Sequence, residues 1–366
     1  MRASRRLGLV IVALAVAGCG SVAATVAGPA ARVSPVPLAS SLVTAQGTWA
    51  IADIAGSASG SENFWQVFVR PAGSSKWSLV TPPGVADSGG LVAAGTPTAL
   101  VIGFRPSQEL TFSPLATTAS TGRDWSPGIL GGALADVPDA LGIGPSGQGL
   151  ALLANGSIDT SADAIGGTWA KLTTVAAIAA SAPGRRCRLT GVEAMSFVPN
   201  GVKFVAGTCA RRGVAGVFAD TNGTWQADGP ALPAGYAGNT VRVVRLSGGT
   251  ALLTAGTTLF AAWYDAGRWT VSAPLTGAGQ PVASGFGAAG SAWVLLSGGR
   301  AETIGGPGSA WRALPKAPTG TAVLAPGTPN EALAVSGTTA TIWRLGAGAW
   351  TKAQTIKVPV QPGSSS

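Results

Sequence analysis

A tryptophan behind a tight turn comes round seven times in this chain, at Trp77, Trp125, Trp169, Trp225, Trp269, Trp311 and Trp350. The steps between copies are 48, 44, 56, 44, 42 and 39 residues. Several copies share a local form, as in Asn222-Gly223-Thr224-Trp225, Ala266-Gly267-Arg268-Trp269 and Ala347-Gly348-Ala349-Trp350. Several also run on into a proline-bearing exit, such as Leu79-Val80-Thr81-Pro82-Pro83 or Leu314-Pro315-Lys316-Ala317-Pro318. Upstream of each tryptophan lie short apolar runs, Ala251-Leu252-Leu253-Thr254 and Ala292-Trp293-Val294-Leu295-Leu296 among them. Gly-Gly and Asn-Gly pairs separate these runs, which is hairpin chemistry. Short strands, hairpin turns and a period near 45 residues predict one four-stranded blade per repeat, and seven copies predict a seven-bladed, all-β propeller. A lone blade would leave two apolar faces uncovered, so the units must close into a ring.

Composition supports strands over helices. The chain holds 54 Gly and 25 Pro, only 11% charged residues and 46% hydrophobic ones. Good helix formers such as Glu, Lys and Met are scarce, while Val, Thr and Ala are abundant. Twelve tryptophans need burial, which argues against disorder. A pair of β-sandwiches is the alternative architecture, but it does not require a tryptophan turn at every repeat. The 56-residue step holds the segment from Cys187 to Cys209 and predicts an insertion in blade four. Thr48-Trp49-Ala50-Ile51-Ala52-Asp53-Ile54 is expected to open blade one.

The N-terminus carries a different signal. Arg2, Arg5 and Arg6 precede an apolar run from Leu7 to Val16, which ends in Val16-Ala17-Gly18-Cys19. The charged start and short apolar middle are those of an export signal, and the run is half the length a membrane-spanning helix needs. Its end resembles the lipobox of bacterial lipoproteins. That resemblance implies cleavage before Cys19 and acylation of its sulfur, so the mature protein is expected to face the extracytoplasmic side, held on the cell membrane by lipid. Ser4-Arg5-Arg6 also resembles part of a twin-arginine signal, and the export route stays open. The expected organisation is signal peptide over 1–18, lipidated end and flexible tether over 19–41, propeller over 42–360 and disordered tail over 361–366.

Cys187 and Cys209 remain after Cys19 takes the lipid, and in an oxidising compartment they are expected to form a disulfide. Arg185, Arg186 and Arg188 surround Cys187, and Arg211 and Arg212 follow Cys209. A bridge would gather these five into a candidate anion-binding patch for lipid headgroups, cell-wall polymer or an acidic protein. The alternative reading is a solvated loop.

Other chemistry is thinly represented. The chain has no histidine, which excludes Ser-His-Asp catalysis and histidine metal sites. Gly142-Ile143-Gly144-Pro145-Ser146-Gly147 matches a dinucleotide fingerprint in letters, but Pro145 and the strand-like run behind it predict a hairpin loop. The turns ending at Trp125, Trp169 and Trp225 resemble degenerate Asp-boxes of sialidase-like propellers, where such turns are structural. Gly122, Ser161 with Asp163, and Asp220 keep part of that pattern, whereas Ser120 stands where its Asp belongs. Sialidases need a tyrosine nucleophile with a glutamate partner; only Tyr236 and Tyr264 exist here. The expectation is a non-enzymatic binding or assembly module of the bacterial envelope, without cofactor or metal, whose partner is an envelope protein, cell-wall polymer or glycan and not nucleic acid. A secreted glycan-processing enzyme is the alternative.

Overall fold

Three of the tryptophan turns place both central residues in the left-handed region: Asn222 and Gly223 at φ 53° and 81°, Ala266 and Gly267 at 47° and 82°, and Ala347 and Gly348 at 49° and 81°. Positive φ at both positions is the type I′ geometry, whose twist matches that of the strands it joins. Each such turn therefore folds back a hairpin with the tryptophan at the start of the returning strand. In the computed structural model the described residues are 32–33, 40–54, 64–82, 88–95, 99–106, 115–127, 138–164, 166–287, 290–325, 327 and 330–359.

Those residues form seven four-stranded antiparallel blades, preceded by a short strand β1 (Arg32–Val33). Blade 1 is β2 (Ser40–Thr44), β3 (Gly47–Ile54), β4 (Phe64–Pro71) and β5 (Ser78–Leu79). Blade 2 is β6 (Ser88–Gly95), β7 (Leu100–Pro106), β8 (Leu115–Thr118) and β9 (Ser126–Pro127). Blade 3 is β10 (Pro138–Ile143), β11 (Gly149–Leu153), β12 (Ser157–Ser161) and β13 (Trp169–Thr174). Helices α1 (Val175–Ala180) and α2 (Ala182–Cys187) then lead into blade 4, β14 (Leu189–Phe197), β15 (Lys203–Cys209), β16 (Ala215–Thr221) and β17 (Thr224–Ala227). Blade 5 is β18 (Val241–Ser247), β19 (Thr250–Ala255), β20 (Thr258–Asp265) and β21 (Arg268–Val271). Blade 6 is β22 (Pro281–Phe286), β23 (Ala292–Leu296), β24 (Ala301–Ile304) and β25 (Arg312–Ala313), and blade 7 is β26 (Thr321–Ala325), β27 (Glu331–Ser336), β28 (Thr339–Gly346) and β29 (Ala349–Lys357). The fold is an all-β, seven-bladed propeller.

The core is spread over the clefts between blades. Middle strands such as β11 and β23 are buried along their whole length, whereas the outer strand β21 alternates and β17 is mostly exposed. A middle strand is covered on both faces by neighbouring blades, so it reads as a continuous apolar run.

Each repeat tryptophan packs into the cleft with the preceding blade. Trp125 packs on a cluster that includes Trp49 and Val67 of blade 1, Trp169 belongs to one with Val101 and Leu115 of blade 2, and Trp225 packs on one with Ile158 of blade 3 and Val175 behind it. Trp269 stacks on Phe204 of blade 4, Trp311 joins Leu252 and Leu259 of blade 5, and Trp350 joins Trp293 and Leu295 of blade 6. Four of the indoles also staple the chain. Trp125, Trp269, Trp311 and Trp350 donate from Nε1 to the main-chain oxygens of Val80, Asp228, Ala273 and Pro315, at 2.8, 2.8, 3.2 and 3.1 Å. Those acceptors sit just past the outer strand of the preceding blade, where the prolines cluster. The repeat thus encodes a wedge and a donor aimed at the previous repeat's exit.

Trp225 makes no such bond to a described residue. Trp269→Phe should therefore destabilise by about 1–3 kcal/mol more than Trp225→Phe, because it strands a carbonyl. Chemical denaturation of both variants checks this, and equal losses would remove the staple from the account.

Two expectations need correction. The extra length before Trp225 is the α1–α2 pair between blades 3 and 4; the segment from Cys187 to Cys209 is simply the β14–β15 hairpin of an ordinary blade. Thr48–Ile54 lies within β3, the second strand, and blade 1 opens at Ser40. The expected spacer also contains β1, which pairs parallel with β14. Its two residues carry no strand signature, because the edge of blade 4 supplies the pairing. Gly142–Gly147 forms the end of β10 and a hairpin loop, as expected. Cys19 and residues 361–366 lie outside the described residues.

Candidate functional site

Thr174 caps α1 by accepting from the Ala177 amide at 3.0 Å, and Ser181 caps α2 by accepting from Gly184 at 3.1 Å. A Cβ on Gly184 would run into the Ile178 carbonyl, so glycine lets the two helices pack. Arg188 ends α2 in the left-handed conformation at φ 58°. Cys187 is bonded to Cys209, with a Cα–Cα distance of 5.1 Å. Both cysteines are buried, beside Ile178 and Leu189.

Backbone bonds run alongside the bridge, from Ala210 to Arg188 at 2.9 Å and from Arg211 to Cys187 at 3.1 Å. The two arginine-bearing segments are therefore held side by side. Arg185, Arg186, Arg188, Arg211 and Arg212 are all exposed. Arg185 donates to the Ala180 carbonyl, and Arg212 to that of Gly238 at 3.3 Å. No carboxylate among the described residues pairs with any of the five. They sit where β14 begins and β15 ends, at one face of the ring.

The first strand of each blade is innermost, and these strands pack round an axial channel. β1 adds to the free inner edge of β14, with Arg32 opposite Gly191 and Val33 opposite Val192. It therefore lies in the channel. Being parallel to β14, it points its upstream end toward the arginine-bearing face.

Across the channel β2 pairs parallel with β22, Ser40 opposite Ser284 and Ser41 opposite Gly285. A Cβ on Gly285 would meet Ser41 and the Trp293 indole, so glycine permits this approach. Trp293 Nε1 donates to Ser41 Oγ at 2.9 Å. Beyond this pair, toward the ends of the inner strands, lies a cavity of about 250 Å³ walled by β2, β6, β10, β14, β18 and β22. β26 contributes nothing to it.

Among the described residues, the charged ones lining this cavity are Glu193 and Arg245. Glu193 is engaged by Thr208 Oγ1 at 2.8 Å and by Arg242 Nε at 3.5 Å. The Arg245 side chain makes no hydrogen bond or ion pair with any described residue, while its backbone pairs with Leu252 in the β18–β19 ladder. Burial lowers its guanidinium pKa to about 10.

The tyrosines sit elsewhere. Tyr264 packs edge-on to Phe204 at 4.9 Å in the cleft between blades 4 and 5, beside Trp269 at 5.3 Å. Burial raises its pKa, and its bonded neighbour Asp228 raises it further. Burial also pushes the Asp228 carboxyl up, while hydrogen bonds from Tyr264 and Trp269 pull it back. Tyr236 packs edge-on to Phe260 at 4.8 Å. Neither tyrosine lines the channel cavity. Among the described residues no group of three Cys, Asp or Glu could hold a metal ion, and no helix is long and apolar enough to cross a membrane.

The arginine cluster follows from its spacing about two cysteines. Sequence reasoning missed Arg245, which in Val241–Ser247 reads as one of two arginines breaking an apolar run. It also missed Glu331, whose partners come from blades at opposite ends of the chain.

No family model matches the chain, and no curated protein matches it. Among solved structures it is similar to a 6-phosphogluconolactonase candidate from Bacteroides uniformis, at 13% identity over 84% of this chain and 96% of that one, with a TM-score of 0.49. YCF48 from Cyanidioschyzon merolae is similar at 14% identity over 88% and 97%, with a TM-score of 0.47. YCF48 bound to D1 peptide is similar at 12% identity over 91% and 97%, with a TM-score of 0.46.

Proposed function

We propose that this propeller is a non-enzymatic binding module of the bacterial cell envelope, exported, held on the extracytoplasmic membrane surface by a lipid on Cys19, and docked by its arginine-bearing face on anionic lipid headgroups. The observation that carries this reading is the coincidence of two features on one face. Five exposed arginines without carboxylate partners stand there, and β1 runs from that same face into the channel. Cys19 lies 13 residues upstream of Arg32. A chain of that length reaches at most about 45 Å even when fully extended. β1 points its upstream end to the arginine side, and a link of this reach would keep that side toward the bilayer. Each arginine near an anionic surface contributes roughly 1 kcal/mol, screened by salt. The lipobox and Asp-box resemblances belong to this reading as its account of anchorage and ancestry.

The test uses the mature chain with Cys19→Ser, which removes the lipid and isolates the face. It should sediment with phosphatidylglycerol vesicles at low salt, release at high salt, and ignore phosphatidylcholine. Changing the five arginines to Ala should abolish the difference. Separately, Cys19→Ala in cells should end incorporation of labelled palmitate. Equal binding to both vesicle types, or none, would remove the docking face; palmitate labelling that survives the substitution would remove the anchor.

A further inference from the structure

We propose that the channel cavity is a binding site for the oxyanion of a small ligand, a carboxylate or a phosphate, with Arg245 as its anchor. This site lies toward the opposite end of the channel from the five surface arginines and does not depend on the membrane reading above.

The argument starts from an unbalanced charge. Arg245 projects from β18, the inner strand of blade 5, and lines a cavity of about 250 Å³. It is partly shielded from solvent and has no counter-ion among the described residues. The carboxylate among the described lining residues, Glu193, is committed to Arg242 and Thr208. Enclosing a cation without a partner is costly, and proteins compensate by pairing it. The other arginines without carboxylates described above stand in open water, where hydration serves. Arg245 does not, and its depressed basicity reflects that loss of hydration.

The surroundings suit a bound oxyanion. Ser40, Ser247 and Thr250 line the same cavity, and Gly248 continues the wall past β18. The Gly248 amide is already given to Ser196 Oγ at 2.8 Å, which fixes the turn behind Arg245. A guanidinium offers two parallel donors to a carboxylate or phosphate, so one side chain gives both affinity and orientation. The cavity is smaller than the usual range for drug-sized ligands, which selects a compact anion or the terminus of a chain. β1 pairs at Gly191 and Val192, on the other half of β14, and leaves Glu193 to Ser196 to the cavity wall.

The experiment is calorimetric titration of the unlipidated mature chain. The probes are inorganic phosphate, acetate, and a short peptide with either a free or an amidated C-terminus. One-site binding of phosphate or acetate is expected; tighter binding of the free peptide than of the amidated one would assign the oxyanion to a chain terminus, and equal weak binding of both would assign it to a small molecule. Arg245→Met should weaken the probe that binds by roughly tenfold or more, about 1.4 kcal/mol. The same substitution should leave the melting temperature unchanged or raise it, since it removes an unpaired enclosed charge. No binding of any probe at millimolar concentration, binding indifferent to Arg245→Met, or a lowered melting temperature would each overturn the assignment.

Discussion

Glu331→Ala should cost about 3–5 kcal/mol of folding free energy, the penalty for removing one partner of a buried ionic group. No strand is exchanged between the first and last blades; each is built from its own four consecutive strands. Their cleft is filled by a shared apolar cluster, with Ala50 and Phe68 of blade 1 beside Val323 and Leu333 of blade 7, and one buried carboxylate clasps it. Glu331, 1% exposed at the start of β27, accepts from Trp77 Nε1 at 2.7 Å and faces Arg70 Nε at 3.3 Å, both from blade 1. Arg344, opposite it in β28, donates from Nη2 at 2.9 Å and from Nε at 3.2 Å. Arg344 also reaches the Ser75 carbonyl at 3.2 Å, and Gln354 of β29 exchanges two bonds with the Trp77 main chain at 2.9 and 2.7 Å. Trp77 is thus the one repeat tryptophan whose indole meets a buried carboxylate where others meet a main-chain oxygen. Alanine would leave two guanidinium groups and an indole N–H facing a void. Against a typical total of 5–15 kcal/mol, that loss would open the ring first at this cleft. Hydrogen exchange should accelerate in β2–β5 and β26–β29 before the other blades. Glu331→Gln keeps an acceptor for Trp77 and should lose less. A cycle with Trp77→Phe should return a coupling of about 0.5–3 kcal/mol. An alanine variant within about 0.5 kcal/mol of the parent, the range of an ordinary surface change, would show the clasp to be decorative.

The second large effect concerns the bridge. Replacing Cys187 and Cys209 together by Ala should cost about 3 kcal/mol, the chain-entropy value for a loop of this size, for a sequence separation of 22 residues. The two sulfurs sit in the cluster that joins blades 3 and 4, so their loss also thins that cleft. The consequence reaches the surface. Without the bridge, α2 is held by its caps and by the two backbone bonds beside Arg188 and Arg211. The five arginines then spread, and salt-sensitive binding to phosphatidylglycerol vesicles should fall even though every charge remains. Denaturation curves with and without reductant measure the first effect, and vesicle sedimentation of the double variant measures the second. Identical curves in both states would mean the bridge adds nothing to the fold.

Much of this architecture was legible because it is local. A type I′ turn needs two residues that tolerate positive φ, a wedge needs an indole, and both recur with the period of a blade, so blade number and strand order follow from counting. The disulfide was legible for a different reason, since only two cysteines remain after Cys19 and an exported chain meets oxidising conditions; that the pair flanks a single hairpin was decided by the fold. Three features were not legible, and each involves partners far apart in sequence. The clasp at Glu331 joins residues about 250 positions distant. The pairing of β2 with β22 turns on Gly285 accepting a backbone from the other end of the chain. The strand β1 has no pattern of its own and exists by virtue of an edge that blade 4 leaves open.

The sequence alone determined a ring of seven aromatic-wedged blades, because each blade is specified by turn chemistry and apolar runs within some forty-five neighbouring residues. The tertiary structure decided how the ring closes, what lies in its channel, and that the Arg245 side chain faces the cavity with no partner among the described residues. Ring closure brings together side chains whose separation along the chain says nothing about their separation in space, and burial of a charge is a property of the assembled cavity.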